Sequence, residues 1–301
     1  MDLFVEKLKK TLPEEAIKKD EPMKDHTTFK IGGPADYFLM PSPDELPGLL
    51  SFLKEEGKSF HVIGNGSNIL VGDRGIRGAV ICLGRRFDEI SVKGNMIRAR
   101  AGTLLSAVAK KASENSLSGL EFASGIPGSV GGGLIMNAGA YGGELKDVLK
   151  SVTVFFPDGE IRTLGREGYG GRYRGSKVAD EGGIVLSSEF VLEEKDSGLI
   201  LEKMKELNQK RTQKQPLSLA SAGSTFKRPE GHFAAKLIED AGLKGYIVGG
   251  AMVSEKHAGF VVNFDRACAS DVRTLMEHVT EKVYAATGVR LEPEVKFIGE
   301  F

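Results

Sequence analysis

The sequence has few cysteines, no excess of charge and no long apolar run. Among its 301 residues there are two cysteines, Cys82 and Cys268, far apart in the chain. With no C-x-x-C pair and no His/Cys cluster, they suggest neither a metal site nor a disulfide framework. Two small, mostly apolar side chains in the interior is the simpler reading, and a cytoplasmic setting fits it. Lys+Arg and Asp+Glu both number 41, so the formal net charge is zero. That argues against a general nucleic-acid or anionic-membrane surface, while a local basic cleft stays open. No apolar run approaches the ~20 residues of a membrane span, so no membrane insertion is expected. The opening "MDLFVEKLKK" reads as an amphipathic helix with acids, not as a secretory leader.

What the sequence does contain is an ordinary apolar fraction, 41%, and length enough for two or three domains with cores of their own. Helical spacing predicts helices over 44–57, 104–119, 197–216, 233–242 and 270–288. Between them lie apolar strands at "SFHVIG", "GAVICLG", "GGIVLSSEFVLEE" and "VKFIG", with further strands near 246–262. Hairpins are expected at Lys93-Gly94-Asn95 and at Pro157-Asp158-Gly159. The pattern is α+β, built on antiparallel hairpins instead of βαβ repeats. Segment boundaries fall near residues 80 and 200, giving 1–80, 81–200 and 201–301.

Two glycine segments stand out. "GNGSN" (64–68) follows a strand, but Ile69 replaces the last glycine of a G-x-G-x-x-G turn, and Leu70 and Val71 continue as an extended segment. No G-K-[ST] occurs, so a Walker loop is excluded. "SGIPGSVGGGLIMNAGAYGGE" (124–144) is punctuated by proline, asparagine and tyrosine, which a flexible linker would lack. Backbone N–H groups without side chains around them can form an anion-binding concavity, so the two segments together could hold a diphosphate. Tight turns between strands would explain 64–68 alone. They do not explain Gly128, Gly131, Gly132 and Gly133.

Seven segments occur in order: "HTTFKIGGPADYF" (26–38), "GNGSNIL" (64–70), "SGIPGSVGG" (124–132), "MNAGAYGGE" (136–144), "YRGS" (173–176), "AGSTFKRP" (222–229) and "LEPEVKFIG" (291–299). Together they resemble the UDP-N-acetylenolpyruvoylglucosamine reductase family, the flavoenzymes of peptidoglycan precursor synthesis, from about residue 26 onward. The compact length is similar to the family's shorter form, which lacks a substrate-covering loop with its tyrosine. There are two departures. Arg228 stands where the family usually has asparagine in "FKNP", and Arg172 stands beside Tyr173 where the aromatic before the Tyr-Arg pair is displaced.

The resemblance implies an FAD-binding domain of two α+β subdomains, of the vanillyl-alcohol-oxidase (PCMH) type, and a C-terminal α+β substrate domain. It implies non-covalent FAD, NADPH as hydride donor, and UDP-N-acetyl-3-O-(1-carboxyvinyl)-glucosamine as substrate. A cytoplasmic monomer without nucleic-acid partners is expected. The implied FAD contacts are Gly64, Asn65, Gly66, Ser67, Asn68, Ser124, Gly125, Ile126, Pro127, Gly128, Ser129, Gly131, Gly132, Asn137, Ala138 and Gly139. The implied catalytic residues are Arg174 as countercharge for an enolate, Ser224 as proton donor, and Glu294 steadying the enol or relaying a proton, with Arg172 as the alternative arginine. Tyr173, Lys227, Arg228 and Lys236 are the implied substrate contacts. No metal and no histidine are assigned. Taken singly, Arg174, Ser224 and Glu294 would read as a surface charge, a turn residue and an exposed acid. Another flavin oxidoreductase of the same superfamily would share the glycine segments without needing "AGSTFKRP" and "LEPEVKFIG". A non-catalytic flavin or nucleotide-sugar binder would not need the three side chains together.

Overall fold

The computed structural model describes residues 2–301. The chain gathers into two compact units, in place of three consecutive segments. The first is Met1–Lys18, Phe38–Asn65 and Val80–Arg211; the second is Lys19–Tyr37, Gly66–Ala79 and Thr212–Phe301. Three strands, Ile17–Pro22, Pro34–Leu39 and Ile76–Cys82, carry the chain from one unit into the other along their length.

The first unit is organised by a five-stranded antiparallel sheet. Its order is Ile161–Gly165, Leu149–Phe155, Ile184–Val191, Met96–Arg100, Ile90–Lys93. Both expected hairpins form. One closes on Gly94-Asn95, with Lys93 opposite Met96, and the other pairs Phe155 with Ile161 around Pro157-Asp158-Gly159. Strand alternation puts Val152 and Val154 inward beside Phe190, Ile97 and Ala99, all buried. The expected helices appear as Leu46–Glu55, Leu105–Glu114 and Ser197–Lys214.

One element was not expected from the sequence. Val130–Ile135, with three glycines among six residues, is an α-helix. Each glycine in a helix interior costs about 0.8–1 kcal/mol relative to alanine, so local propensity argues against it. It is opened by Ser129, whose hydroxyl accepts from the Gly132 N–H at 3.4 Å. Its first donors are taken by neighbouring backbone: Val130 N–H by the Thr103 carbonyl at 2.8 Å and Gly131 N–H by the Ala101 carbonyl at 2.9 Å.

In the second unit a four-stranded antiparallel sheet runs Ala220–Ser221, Val261–Asn263, Ala251–Val253, Ile247–Val248. The helix Ala269–Thr287 lays Val272, Leu275, Met276, Val279 and Val283 into its core and stops at Gly288, whose φ is 73°. The strand Lys296–Ile298 pairs in parallel with Ile69–Val71. Just beyond Val71 stands Asp73, whose carboxylate accepts from Ala269 N–H at 2.6 Å, Ser270 N–H at 2.9 Å and the Ser270 hydroxyl at 2.7 Å. Burial pushes the Asp73 carboxyl up, but these hydrogen bonds outweigh it and hold it below the usual carboxylate range.

Asp73→Ala should cost about 1 kcal/mol of stability in urea unfolding at neutral pH, the usual value of a helix-start acceptor. Because the folded-state pKa is lowered, the contribution of Asp73 is complete above the ordinary carboxylate value of about 3.9. It is lost as pH falls through the folded value, so the gap between wild type and variant should close in acid.

Candidate active site

The two glycine segments meet inside the first unit. A Cβ placed on Gly64 would sit 2.0 Å from the Ser129 hydroxyl, so only glycine lets that hydroxyl reach its capping position. The next side chain, Asn65, donates to the Pro127 carbonyl at 2.6 Å. Gly66 to Asn68 continue into the second unit, where the Gly66 carbonyl accepts from Thr28 N–H at 3.1 Å. Ser67 is half-buried beside it.

The glycines of 124–133 divide by what excludes their side chains. At Gly131 a Cβ would lie 3.0 Å from the Ala101 Cβ, and at Gly133 2.9 Å from Leu105 and 3.0 Å from Leu145. At Gly125 it would strike the Arg211 side chain at 2.7 Å. Those three are glycine because the protein packs there. Gly132 differs. It is exposed, and beyond its own helix backbone and chain neighbours a Cβ there would find only the Ser129 hydroxyl, at 3.6 Å, within 4 Å among the described residues. Its open face, beside Gly64 and the Pro127 turn, is a place where bulk is excluded by no part of the chain itself. A flavin-nucleotide phosphate group fits this opening, and the residues present are compatible with FAD.

Several residues expected at the cofactor have other partners. Ser129 is buried and caps its helix. Ser124 donates to the Glu121 carbonyl at 2.8 Å and accepts from Asn208. Ile126 N–H bonds the Ala123 carbonyl, Gly128 receives the Leu105 N–H, and Ala138 bridges the Gly133 carbonyl and the Leu145 N–H. Gly139 begins a short hairpin, Gly139–Ala140 against Gly143–Glu144, closed by Tyr141 and Gly142 with φ of 53° and 89°. Both values are positive, as a type I′ turn requires, so exposed Tyr141 sits in a conformation rare for its type. Asn68 donates to the Glu294 carbonyl at 3.2 Å. Asn137 is fully buried, with its amide engaged inside the chain.

In the second unit a short antiparallel ladder pairs 225–227 with 292–294, carrying Glu294 and starting directly after Ser224. Phe226 opposes Pro293, Glu294 N–H donates to the Thr225 carbonyl at 2.8 Å, and Lys227 N–H donates to the Glu292 carbonyl at 2.8 Å. The Thr225 hydroxyl accepts from Val261 N–H at 2.8 Å, tying this ladder to the sheet. Ser224 follows Gly223, whose φ of 76° starts the turn onto the ladder. Glu294 is 9% exposed, unlike the surface acid its position before a strand suggests.

Arg174 belongs to the first unit. Its φ is 53°, and the turn that carries it is closed by Arg172 N–H to the Gly175 carbonyl at 3.0 Å and the reverse bond at 3.2 Å. Its guanidinium lies 5.1 Å from the centre of the Tyr173 ring. Arg172, the alternative, is exposed and pairs with Asp180 at 2.6 Å. Among the proposed substrate contacts, Lys227 pairs with Glu292 at 3.2 Å and Lys236 with Asp240 at 2.6 Å. Arg228 stacks 4.0 Å from the centre of the exposed Phe233 ring. Arg211 was not singled out from the sequence. It is half-buried against Gly125, where burial lowers its pKa against the opposing pull of Tyr141. Its one sequence cue is a basic residue shortly before Pro216.

These observations change which glycine tests the cofactor cradle. Gly132→Val should leave the melting temperature nearly unchanged and strip the flavin absorbance from the purified protein. Gly131→Val should lower stability first, because its side chain meets Ala101. A yellow, fully loaded Gly132→Val protein would remove the cradle from Gly132.

Comparison with known proteins shows the family. Residues 34–165 match a family model described as FAD binding domain, and residues 215–298 match the C-terminal domain of UDP-N-acetylenolpyruvoylglucosamine reductase. The chain is 55% identical over 310 residues to the reductase of that name from Agathobacter rectalis, with 99% of each chain covered. It is 48% identical over 300 residues to the one from Caldanaerobacter subterraneus subsp. tengcongensis, again with 99% of each covered. The crystal structure of UDP-N-acetylenolpyruvylglucosamine reductase from Thermus caldophilus superposes with a TM-score of 0.80 at 38% identity, covering 92% of this chain and 97% of that one. With both its flavin and its C-terminal segments matched over nearly the whole length, the chain belongs to the UDP-N-acetylenolpyruvoylglucosamine reductase family.

Proposed function

We propose that this chain reduces the enolpyruvyl ether of UDP-N-acetylglucosamine to UDP-N-acetylmuramate, with NADPH as the source of reducing equivalents and Ser224 as the proton donor. FAD, when bound, supplies the hydride chemistry. The chain's own task is to hold the enolpyruvyl group, to accommodate negative charge on its carboxyl side, and to return a proton to the carbon beside it. Arg174 suits the second task. A planar guanidinium meets a carboxylate through two parallel hydrogen bonds, and its charge answers the enolate as it develops. Ser224 suits the third, with Glu294 near it to steady the enol or relay the proton. Tyr173, Lys227, Arg228 and Lys236 remain the proposed contacts for the nucleotide sugar. The same reading makes the protein a cytoplasmic monomer.

The observation that supports this best is the ladder between 225–227 and 292–294. Half-buried Ser224 immediately precedes it and buried Glu294 lies in it, and it is held by Thr225 to Val261, by Asn68 to the Glu294 carbonyl, and by the Lys227–Glu292 backbone bond. A surface turn and an exposed acid would need none of that support.

Stopped-flow absorbance separates the roles. Ser224→Ala should leave bleaching of the flavin by NADPH near normal. The return of colour on adding the enolpyruvyl substrate should slow by at least the roughly 10²–10⁴-fold typical of general acid catalysis. Ser224→Cys should recover part of the rate, and Glu294→Gln should impair the same phase. If Ser224→Ala blocked the bleaching step, or spared both, its assignment would fall.

For the arginines, Arg174→Ala should lower turnover by roughly 10²–10³-fold, the scale of a lost charge-stabilising donor. Arg172→Ala should be mild, because its partner is the exposed Asp180. The opposite ranking would transfer the role to Arg172.

A further inference from the structure

The turn bearing Arg174 is fastened to the far end of the glycine helix. Tyr169, buried, donates its hydroxyl to the Leu134 carbonyl at 2.6 Å, and Ser176 donates to the Ile135 carbonyl at 3.2 Å. These two carbonyls belong to the last turn of Val130–Ile135, beyond the reach of i→i+4 helical bonds, and the Leu134 carbonyl also accepts from Asn137 N–H at 3.2 Å. The third fastening comes from Asn137. Its Nδ2 donates to the Arg172 carbonyl at 3.2 Å and to Glu144 Oε2 at 3.0 Å, and its Oδ1 accepts from Lys146 N–H at 3.0 Å. Both amide protons are therefore committed, and the amide oxygen holds one donor. The Arg172 carbonyl is also the acceptor that closes the Arg174 turn through Gly175 N–H.

Backbone strain marks the same pair. Asn137 and Arg174 both have positive φ, 42° and 53°. Asparagine tolerates that region through local hydrogen bonds; arginine does not do so readily and must be held there. Glu144 completes the network. Its carboxyl is held below the usual range, first by the Lys146 ammonium at 2.7 Å, then against burial by the Asn137 amide and by the charges of Lys146 and Arg174.

We propose that Asn137 is the positioning residue for Arg174: with Glu144 behind it, it clamps the Arg172 carbonyl and so keeps the Arg174 turn in its left-handed conformation. This moves Asn137 from the cofactor side to the substrate side of the chemistry, and it rests on the reading of Arg174 as the enolate's countercharge. The amide's two N–H donors have nothing left to offer a cofactor. Its three bonds instead join the segment after the glycine helix to the segment that carries the cation.

The test is a double-mutant cycle between Asn137→Gly and Arg174→Ala, run on flavin-loaded enzyme. Glycine accepts the positive φ at no cost, so the variant removes the amide without adding backbone strain. Asn137→Gly should retain its flavin absorbance and the NADPH bleaching rate. Its kcat with the enolpyruvyl substrate should fall roughly 10–100-fold, in keeping with a small displacement of a catalytic group. In the Arg174→Ala background the same change should cost less than 2-fold. Substrate titration, followed by the shift it causes in the oxidised flavin spectrum, should show weaker binding in Asn137→Gly and little further weakening in the double variant. Glu144→Gln, at a partly exposed position, should show a smaller loss that also vanishes without Arg174. A full multiplicative loss in the Arg174→Ala background would overturn the proposal. So would loss of flavin with unchanged kcat per bound flavin, which marks a merely structural role. If Arg174→Ala is itself mild, the countercharge reading fails first, and the clamp falls with it. If Asn137→Gly does not fold, the Glu144→Gln cycle decides alone, and additivity there counts against the clamp.

Discussion

The contact between Gly131 and Ala101 is the constraint from which the first unit follows. A helix whose inner face carries hydrogen atoms instead of side chains can lie at backbone distance from its neighbours. Its first N–H groups then bond directly to the Thr103 and Ala101 carbonyls. Once seated, the helix sets Ser129 against Gly64, and this draws the two glycine segments together on the open side of Gly132. Its other end offers two carbonyls, which Tyr169 and Ser176 take, so the Arg174 turn hangs from the same short rod as the cofactor cradle. Six residues thus connect the proposed cofactor cradle with the turn proposed to carry the catalytic charge.

The second unit solves a different problem. As the proposed proton donor, Ser224 presents its hydroxyl from a turn, and turns are compliant. The ladder between 225–227 and 292–294 removes that compliance, and Asn68 reaches the Glu294 carbonyl from a segment far away in sequence. A serine is a weak acid in water. Backbone this firmly held allows the surrounding groups to keep the alignment a proton transfer needs.

Where hydrophobic spacing is regular, the sequence announces the element. Val272, Leu275, Met276, Val279 and Val283 spell out their helix, and the alternation of 149–155 and 184–191 spells out two strands. The helix Val130–Ile135 is invisible to that reading, because its stability comes from close packing that glycine permits and its propensity argues for a loop. The parallel pair Ile69–Val71 with Lys296–Ile298 is likewise hidden, since neither three-residue strand names its partner. At the site, motif resemblance singled out Arg174, Ser224 and Glu294. It also grouped Asn68, Ser129 and Asn137 with the cofactor, and in the structure their side chains bond other groups of the chain. Asparagine and serine in a glycine-rich loop are equally fit to hold a ligand or a neighbouring carbonyl, and sequence does not record which way they face.

The pairing of Ile69–Val71 with Lys296–Ile298 also sets an order of events during synthesis. At roughly 5–20 residues per second, the ribosome needs on the order of ten seconds or more to make the chain between those strands. Throughout that time Ile69, Leu70 and Val71 lack their sheet partner, and Asp73 has no helix start to bind. The five-stranded sheet of the first unit is complete in sequence by Val191 and can form while translation continues. The unit bearing Ser224 and Glu294 must close last, so an apolar strand near the front of the chain stays exposed to chaperones and to aggregation until the final strand is made.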